Sequence, residues 1–168
     1  LEYGEADLCV CLDSPRLYAT RSWPDSLHRV RLRPVRWICA VDAHHPTVGD
    51  GLTAEQFFAL PHAFGAPSAY SVSAEELVRR LFDIDLPVQM AVPSLLHLPL
   101  VLAGTPYVAT MPERVLKTAS RSPPLKTFAT PDPTPEHHEL LLWHRRRELD
   151  PAHAWLRNLI VEITCRLP

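Results

Sequence analysis

Short apolar runs alternate with stretches of helical periodicity along most of this chain. Residues 8–12 (LCVCL) and 140–143 (LLLW) are too short and too continuous for amphipathic helices, and read as buried strands. Residues 27–41 hold two extended pieces divided near Pro34, and the second, WICAV at 37–41, has the unbroken apolar character of a strand buried on both faces. Briefer strands are expected at 62–64, 88–92, 107–111 and 125–128. Between them, Thr53-Ala54-Glu55-Gln56 and Ser73-Ala74-Glu75-Glu76 carry the capping-box pattern that opens a helix, the first reaching Leu60 and the second placing Leu77, Leu81 and Phe82 on one face. Ser94 caps a helix running to about Ala103, and residues 113–120 form another. Near the end, Asp150 suits an N-cap and Pro151 the first turn, after which Trp155, Leu156, Leu159, Ile160, Ile163 and Leu167 recur at helical spacing as one apolar face. Strands alternating with helices predict an α/β fold with largely parallel sheets.

Composition narrows the function. The 168 residues suffice for one domain or two small lobes, and 46% hydrophobic with 21% charged residues is the balance of a soluble globular protein. Eighteen prolines against five glycines punctuate element edges rather than build loops. A net charge of −2 offers no basic field, so this segment is not expected to bind DNA by itself. No apolar run approaches the ~20 residues of a membrane helix, and no signal-peptide pattern opens the chain. The four cysteines (Cys9, Cys11, Cys39, Cys165) lie in apolar contexts and are expected to be buried, reduced thiols of a cytoplasmic protein. Of the nine histidines, His44-His45 and His137-His138-Glu139 are the only clusters, and neighbours on an extended chain point to opposite faces; neither a metal nor another cofactor is expected. No Gly-x-Ser-x-Gly elbow or glycine-rich phosphate loop is present, and Arg145 to Arg147 reads as a solvated turn.

Several segments, in order, resemble one family. The ending LLLWHRRRELDPAHAWLRNL (residues 140–159) is similar to the end of the effector-binding domain of LysR-type transcriptional regulators. The opening LEYGEADL resembles the helix end and strand start where those proteins carry Gly-Glu-x-Asp-Leu. Residues 37–41 with His44-His45-Pro46, then LTAEQFFALPH (52–62) and VPSLLHLPLVLAGTPYVATMP (92–112), are similar to the family's crossing strand and second lobe. The AGTPYVATMP and WHRRR wording resembles the subgroup of nodulation and aromatic-degradation regulators.

The resemblance implies a two-lobed, periplasmic-binding-protein-like (type 2) α/β fold. Residues 1–36 and 145–168 would be what remains of lobe I, and residues 37–144 lobe II with the two crossing strands at its ends. It also implies that the chain begins at the family's third strand, so the first lobe is incomplete and the N-terminal winged helix-turn-helix is absent. DNA would be bound only through that absent domain, the full-length protein would be a homodimer or tetramer, and a small aromatic acid or phenol would lie between the lobes. No membrane association is implied.

Ligands of open α/β sheets sit at the carboxyl ends of strands. That rule, with the resemblance, selects Pro93 and Ser94 after one strand, His62, Phe64 and Gly65 at another, and Gly104-Thr105 at a helix end; Leu12, Asp13 and Arg16 would serve from the first lobe. Each has a plainer reading: Ser94 as a helix cap, Phe64 as core, His62 as a satisfied buried side chain, Gly104 as a helix stop, Arg16 as a surface cation. The expected role is ligand sensing rather than catalysis. Rivals are a small α/β hydrolase or transferase, which would gather perturbed titratable groups in a pocket, and an exported solute-binding protein of the same fold.

Overall fold

The computed structural model describes residues 1–14, 22–66, 73–118, 123–131 and 136–166. The chain forms two compact units: unit 1 comprises Leu1–Val35 and Glu136–Pro168, and unit 2 comprises Arg36–Pro135.

Unit 1 is built on three antiparallel strands, β1 (Leu8–Leu12), β2 (Leu27–Val35) and β8 (His137–His144), in the order β1-β8-β2. The apolar run at 140–143 is central because β8 is the strand paired on both sides, and Leu140, Leu141 and Leu142 are buried. The extended stretch divides near Pro34 as expected, and Pro34 itself lies within β2 at a register shift between Arg31 and Pro34. β2 is an edge strand, where a missing N–H costs no ladder bond. The break falls at Arg36. β8 makes its pairings with β1 and β2, so residues 136–144, drawn as the end of lobe II from sequence, pack within unit 1.

Helix α5 (Pro151–Arg166) closes unit 1. Asp150 caps it as expected, with Oδ1 accepting from Ala152 N–H at 3.0 Å and His153 N–H at 3.2 Å. The expected apolar face is not the buried one. The buried residues of α5 are His153 and Arg157, whereas Trp155, Leu156 and Ile163 are exposed. Arg157 lies over the Trp143 ring, 4.7 Å from its centroid, and donates to the Arg147 and Glu148 carbonyls. His153 Nδ1 accepts from Arg157 and its Nε2–H donates to the Asp7 carbonyl, which fixes one tautomer. Arg146 and Arg147 are not merely solvated: Arg146 donates to the Leu1 and Glu2 carbonyls and Arg147 to Asp7, tying down the chain start.

Unit 2 is a five-stranded sheet ordered β5-β4-β6-β3-β7: β3 (Trp37–Asp42), β4 (His62–Gly65), β5 (Val88–Val92), β6 (Val108–Pro112) and β7 (Leu125–Ala129). Parallel pairing is confined to β4–β5 and β4–β6; β3 runs antiparallel to both neighbours, so the sheet is mixed rather than largely parallel. Alternation along the strands separates two faces. One carries Ile38, Ala40, Ala63, Ala109 and Met111 against α3 (Leu98–Leu102) and α4 (Arg114–Thr118). The other faces α1 (Ala54–Ala59) and α2 (Ala74–Phe82), with Trp37 edge-on to Phe82 and His62 edge-on to Phe57.

The Thr53–Gln56 capping box forms in both directions. At α2 only half forms: Ser73 accepts from Glu76 N–H, and the Glu76 carboxylate turns instead to Arg79 and Arg80. The helix expected after Ser94 begins as a single 3-10 turn, Leu95–His97, and becomes α-helical only at Leu98. Pro99 occupies the first turn of α3, where its absent N–H is harmless.

Candidate functional site

The parallel strands of unit 2 all end on one edge of the sheet. Gly65 is level with Val92, and Ala66 N–H donates to the Val92 carbonyl at 2.8 Å. β3 starts and β7 stops at this same edge, since Trp37 lies opposite Pro112 and Ile38 opposite Ala129. Both chain connections to unit 1 therefore leave from the carboxyl edge, where loops converge and α/β sheets hold ligands.

Three of the expected residues meet there. A Cβ on Gly65 would stand 2.6 Å from Leu95 Cδ2 and 3.2 Å from the Leu95 nitrogen, so only glycine lets β4 end against the turn that follows β5. That contact brings Gly65 beside Pro93 and Ser94. Pro93 is exposed; Ser94 is half-buried, and its hydroxyl accepts from Leu96 N–H at 3.3 Å as the cap of the 3-10 turn. His62 and Phe64, on the same strand, turn to the opposite face of the sheet and are 2% and 3% exposed. His62 Nε2–H donates to the Phe57 carbonyl at 2.8 Å, and burial pushes its imidazole below the ordinary histidine range. For both residues the geometry is that of the plainer reading, a core aromatic and a satisfied buried histidine.

Gly104 and Thr105 are not brought to this group. Their loop precedes β6, which puts it at the amino edge, opposite Gly65 and Ser94. Gly104 adopts φ +67°, its N–H donates to Asp42 Oδ2 at 2.8 Å, and the Thr105 hydroxyl donates to the Val101 carbonyl at 2.9 Å. His44 N–H donates to Asp42 Oδ1 at 2.7 Å. The N–H groups of Gly104 and His44 hold the Asp42 carboxyl below the usual aspartate range. Asp42, His44, Gly104 and Thr105 line a depression of about 460 Å³. Neighbouring His45 is locked: its Nε2–H donates to the Pro106 carbonyl at 3.1 Å, and its Nδ1 accepts from Val48 N–H at 3.2 Å.

In unit 1, Leu12 ends β1 opposite Glu139. Asp13 is already engaged, accepting from Arg31 at 3.0 Å and from the Trp23 indole at 3.3 Å, and donating its N–H to the His138 carbonyl at 2.7 Å. Arg16 lies outside the described residues. All four cysteines are free, but only Cys39 is buried as expected; Cys9 and Cys11 are half-buried and Cys165 exposed. Burial pushes the Cys39 thiol up to about 12, and a hydrogen bond from Cys11 brings Cys9 down to about 6. Among the described residues, no group of three or more metal-ligating side chains gathers, and no helix is long and apolar enough to cross a membrane.

Sequence reasoning missed a second feature of the carboxyl edge, a groove of about 360 Å³ beside α4, with Arg36, Glu113 and Lys117 among its lining residues. The available signal was the run of small residues at Thr127 and Ala129, outward on one face of an edge strand, together with the i,i+4 spacing of Glu113 and Lys117.

Comparison with known proteins gives the family. The LysR substrate binding domain matches residues 1–164, nearly the whole chain, and the chain belongs to that family. Nodulation protein D 3 of Rhizobium leguminosarum bv. phaseoli is 27% identical over 171 residues, covering 100% of this chain and 54% of that protein. The chain thus spans about half the length of the curated relatives it matches. Among solved structures, a probable transcriptional regulator from Pseudomonas aeruginosa superposes with a TM-score of 0.77 at 19% identity, covering 94% of this chain and 51% of that one. The effector binding domain of QuiR in complex with shikimate gives 0.67 at 13% identity, covering 99% and 75%. At these identities the structures establish the periplasmic-binding-protein-like fold of LysR regulatory domains. The sequence resemblance to the family and to nodulation regulators is borne out.

Proposed function

We propose that the chain is the effector-sensing part of a LysR-type transcriptional regulator, and that a small organic ligand docks at the carboxyl edge of unit 2 around Gly65, Pro93 and Ser94. The observation that carries the reading is the common edge: β4 and β5 end level with each other on the same edge of the sheet from which both connections to unit 1 depart. A ligand held there sits on the edge from which those connections leave, with β6 between it and β3. To change the protein's state it must bind one arrangement better than another. The polar groups offered are a hydroxyl and backbone amides, which suit a hydroxylated or carboxylated ring; QuiR, a distant structural relative, was captured with shikimate.

Sensing rather than catalysis is favoured because the Cys39 thiol, raised by burial, and the His62 imidazole, lowered by burial, lie away from this edge. The Cys39 thiol and the His62 imidazole are interior and satisfied by Thr110 and Phe57. DNA contact belongs in this reading to the portion of a full regulator beyond these 168 residues, which carry a net charge of −2. The regulator would work in the cytoplasm as a dimer or tetramer.

The test is thermal unfolding of this chain against aromatic acids, phenols, flavonoid-like compounds and alicyclic hydroxy acids. Ligand at ~100 times its dissociation constant adds roughly 2.7 kcal/mol, a clear rise in Tm. The expected outcome is a saturable shift from one chemical class, weakened in Ser94→Ala. A panel that moves neither this chain nor a full-length regulator containing it would sink the reading.

A further inference from the structure

Among the described residues, one part of the unit 2 sheet is left unroofed. On the face carrying Ile38 and Ala40, α3 and α4 cover β4 and β6, but α4 has only 5 residues. Beyond it, β7 sets Thr127 and Ala129 level with Ala40 and Ile38, and these small side chains leave the space open. The result is the groove of about 360 Å³, with Ile38, Leu116 and Ala129 among its apolar lining and Thr127 and Thr130 among its polar lining. Its volume is that of a site for one substituted ring, at the small end of the ~300–1,000 Å³ of ordinary ligand pockets.

The mouth carries an uneven charge. Arg36 Nη1 stands 3.8 Å from Glu113 Oε2, and Lys117 Nζ stands 4.0 Å from the same oxygen. Both distances exceed a hydrogen bond. Two cations thus share one carboxylate loosely, and they are 79% and 57% exposed in their side chains. An arriving carboxylate can take the fork of Arg36 and the ammonium of Lys117 without displacing a tight internal pair.

We propose that this groove is an anion-binding site for a hydroxylated ring carboxylate. The carboxylate meets Arg36 and Lys117, the ring lies over Ile38, Leu116 and Ala129, and a ring hydroxyl reaches Thr127 or Thr130. The site is distinct from the Gly65–Ser94 end of the edge and does not depend on it. It joins the first residues of β3 to the last of β7, the strands at which both connections to unit 1 begin.

The test is a titration of the isotope-labelled chain with 4-hydroxybenzoate, followed by amide NMR, with methyl 4-hydroxybenzoate as the uncharged probe. Saturable shifts are expected at Leu116, Lys117, Thr127 and Ala129, with affinity about tenfold weaker for the ester and about tenfold weaker in Arg36→Gln and Lys117→Gln. Both variants alter exposed side chains, so unchanged amide spectra certify their folding. Ala129→Leu should fill the groove and abolish the shifts. Absence of shifts, or affinity indifferent to both charge variants and to the ester, overturns the proposal. Shifts confined to Gly65, Val92 and Ser94 overturn it as well, while leaving the proposed sensing function standing.

Discussion

The two units solve the same packing problem by different means. In unit 2, helices pack on both faces of the sheet, with Leu98 and Leu102 of α3 and Val108 and Met111 of β6 fully buried. In unit 1, the helix that packs on the sheet does so through a histidine and an arginine, while its apolar residues Trp155, Leu156 and Ile163 remain 66%, 40% and 48% exposed. Unit 2 is therefore held mainly by apolar burial, which is strong but undirected. Unit 1 depends more on directed contacts: a guanidinium over Trp143, donors to the carbonyls at the end of the arginine turn, and a histidine bridging to Asp7. The lesson is that helical periodicity reports an apolar stripe without reporting which side of the helix the neighbouring strand engages.

Thiol chemistry gives the largest contrast. The Cys11 hydrogen bond brings the Cys9 thiol down to about 6, so Cys9 is mostly thiolate at neutral pH, whereas burial pushes Cys39 up to about 12. Iodoacetamide at pH 7 should label Cys9 at least ~10³-fold faster than Cys39. Cys11→Ser should slow Cys9 less than Cys11→Ala, because a hydroxyl still donates to the thiolate. Equal labelling of Cys9 and Cys39 before unfolding, read by peptide mass, would break the distinction between an accessible unit 1 strand and a sealed unit 2 core.

Truncating one leucine in each unit reads the same contrast in stability. Leu98 is fully buried against Ala63, Ala109 and Val115, and Leu98→Ala should cost about 2–5 kcal/mol in urea unfolding. Leu156→Ala on the exposed face of α5 should stay within about 0.5 kcal/mol. A large loss at Leu156 would mean that the apolar face of α5 is covered in solution, and a concentration-dependent Tm would identify a second copy as the cover.

Much of the fold is legible in local sequence because local physics decides it. The Thr53–Gln56 box, the Asp150 cap and the apolar runs that become β1, β3, β4 and β5 each need only near neighbours. What escapes is set by distant partners. Nothing near Gly65 announces that Leu95 will press on its α-carbon. The inward turn of Arg157 follows from Trp143, and that of His153 from the Asp7 carbonyl, both outside the helix. Glu76 abandons its capping role because Arg79 and Arg80 lie one turn further on, a competition visible in sequence but undecided there. The loop at Gly104 and Thr105 had a readable signal: a loop leading from a helix into a parallel strand sits at the amino edge of that strand, opposite the carboxyl edge where the strand ends.

Arg157 tests whether unit 1 rests on directed contacts. Arg157→Met keeps much of the volume over Trp143 but removes the ring–cation contact and the donors to Arg147 and Glu148, and should cost about 2 kcal/mol. Arg157→Lys retains a charge without the planar fork and should recover less than half of that loss. If the methionine variant is as stable as the parent, apolar packing suffices and the comparison between the units collapses.

The smallest effect concerns pH and belongs to unit 2. His62 is buried as a neutral imidazole whose Nε2–H donates to Phe57, and burial lowers its pKa in the folded chain below the ~6.5 of an exposed histidine. The unfolded chain therefore takes up a proton at a higher pH than the folded one. The stability this residue contributes is fully present above about 6.5, and it is lost as pH falls from there through the folded value. The urea midpoint should drop between pH 7.5 and pH 5.5 by more in the parent chain than in His62→Gln, whose amide can donate to the same carbonyl without titrating. The slope separates interior chemistry from surface charge: Glu76, Asp42 and Asp150 have carboxyls held low by hydrogen bonds and lose their contribution only at more acid pH. An unchanged pH difference in His62→Gln would place the titration elsewhere, and the sealed character of the β4 face would need another basis than the protonation of its one histidine.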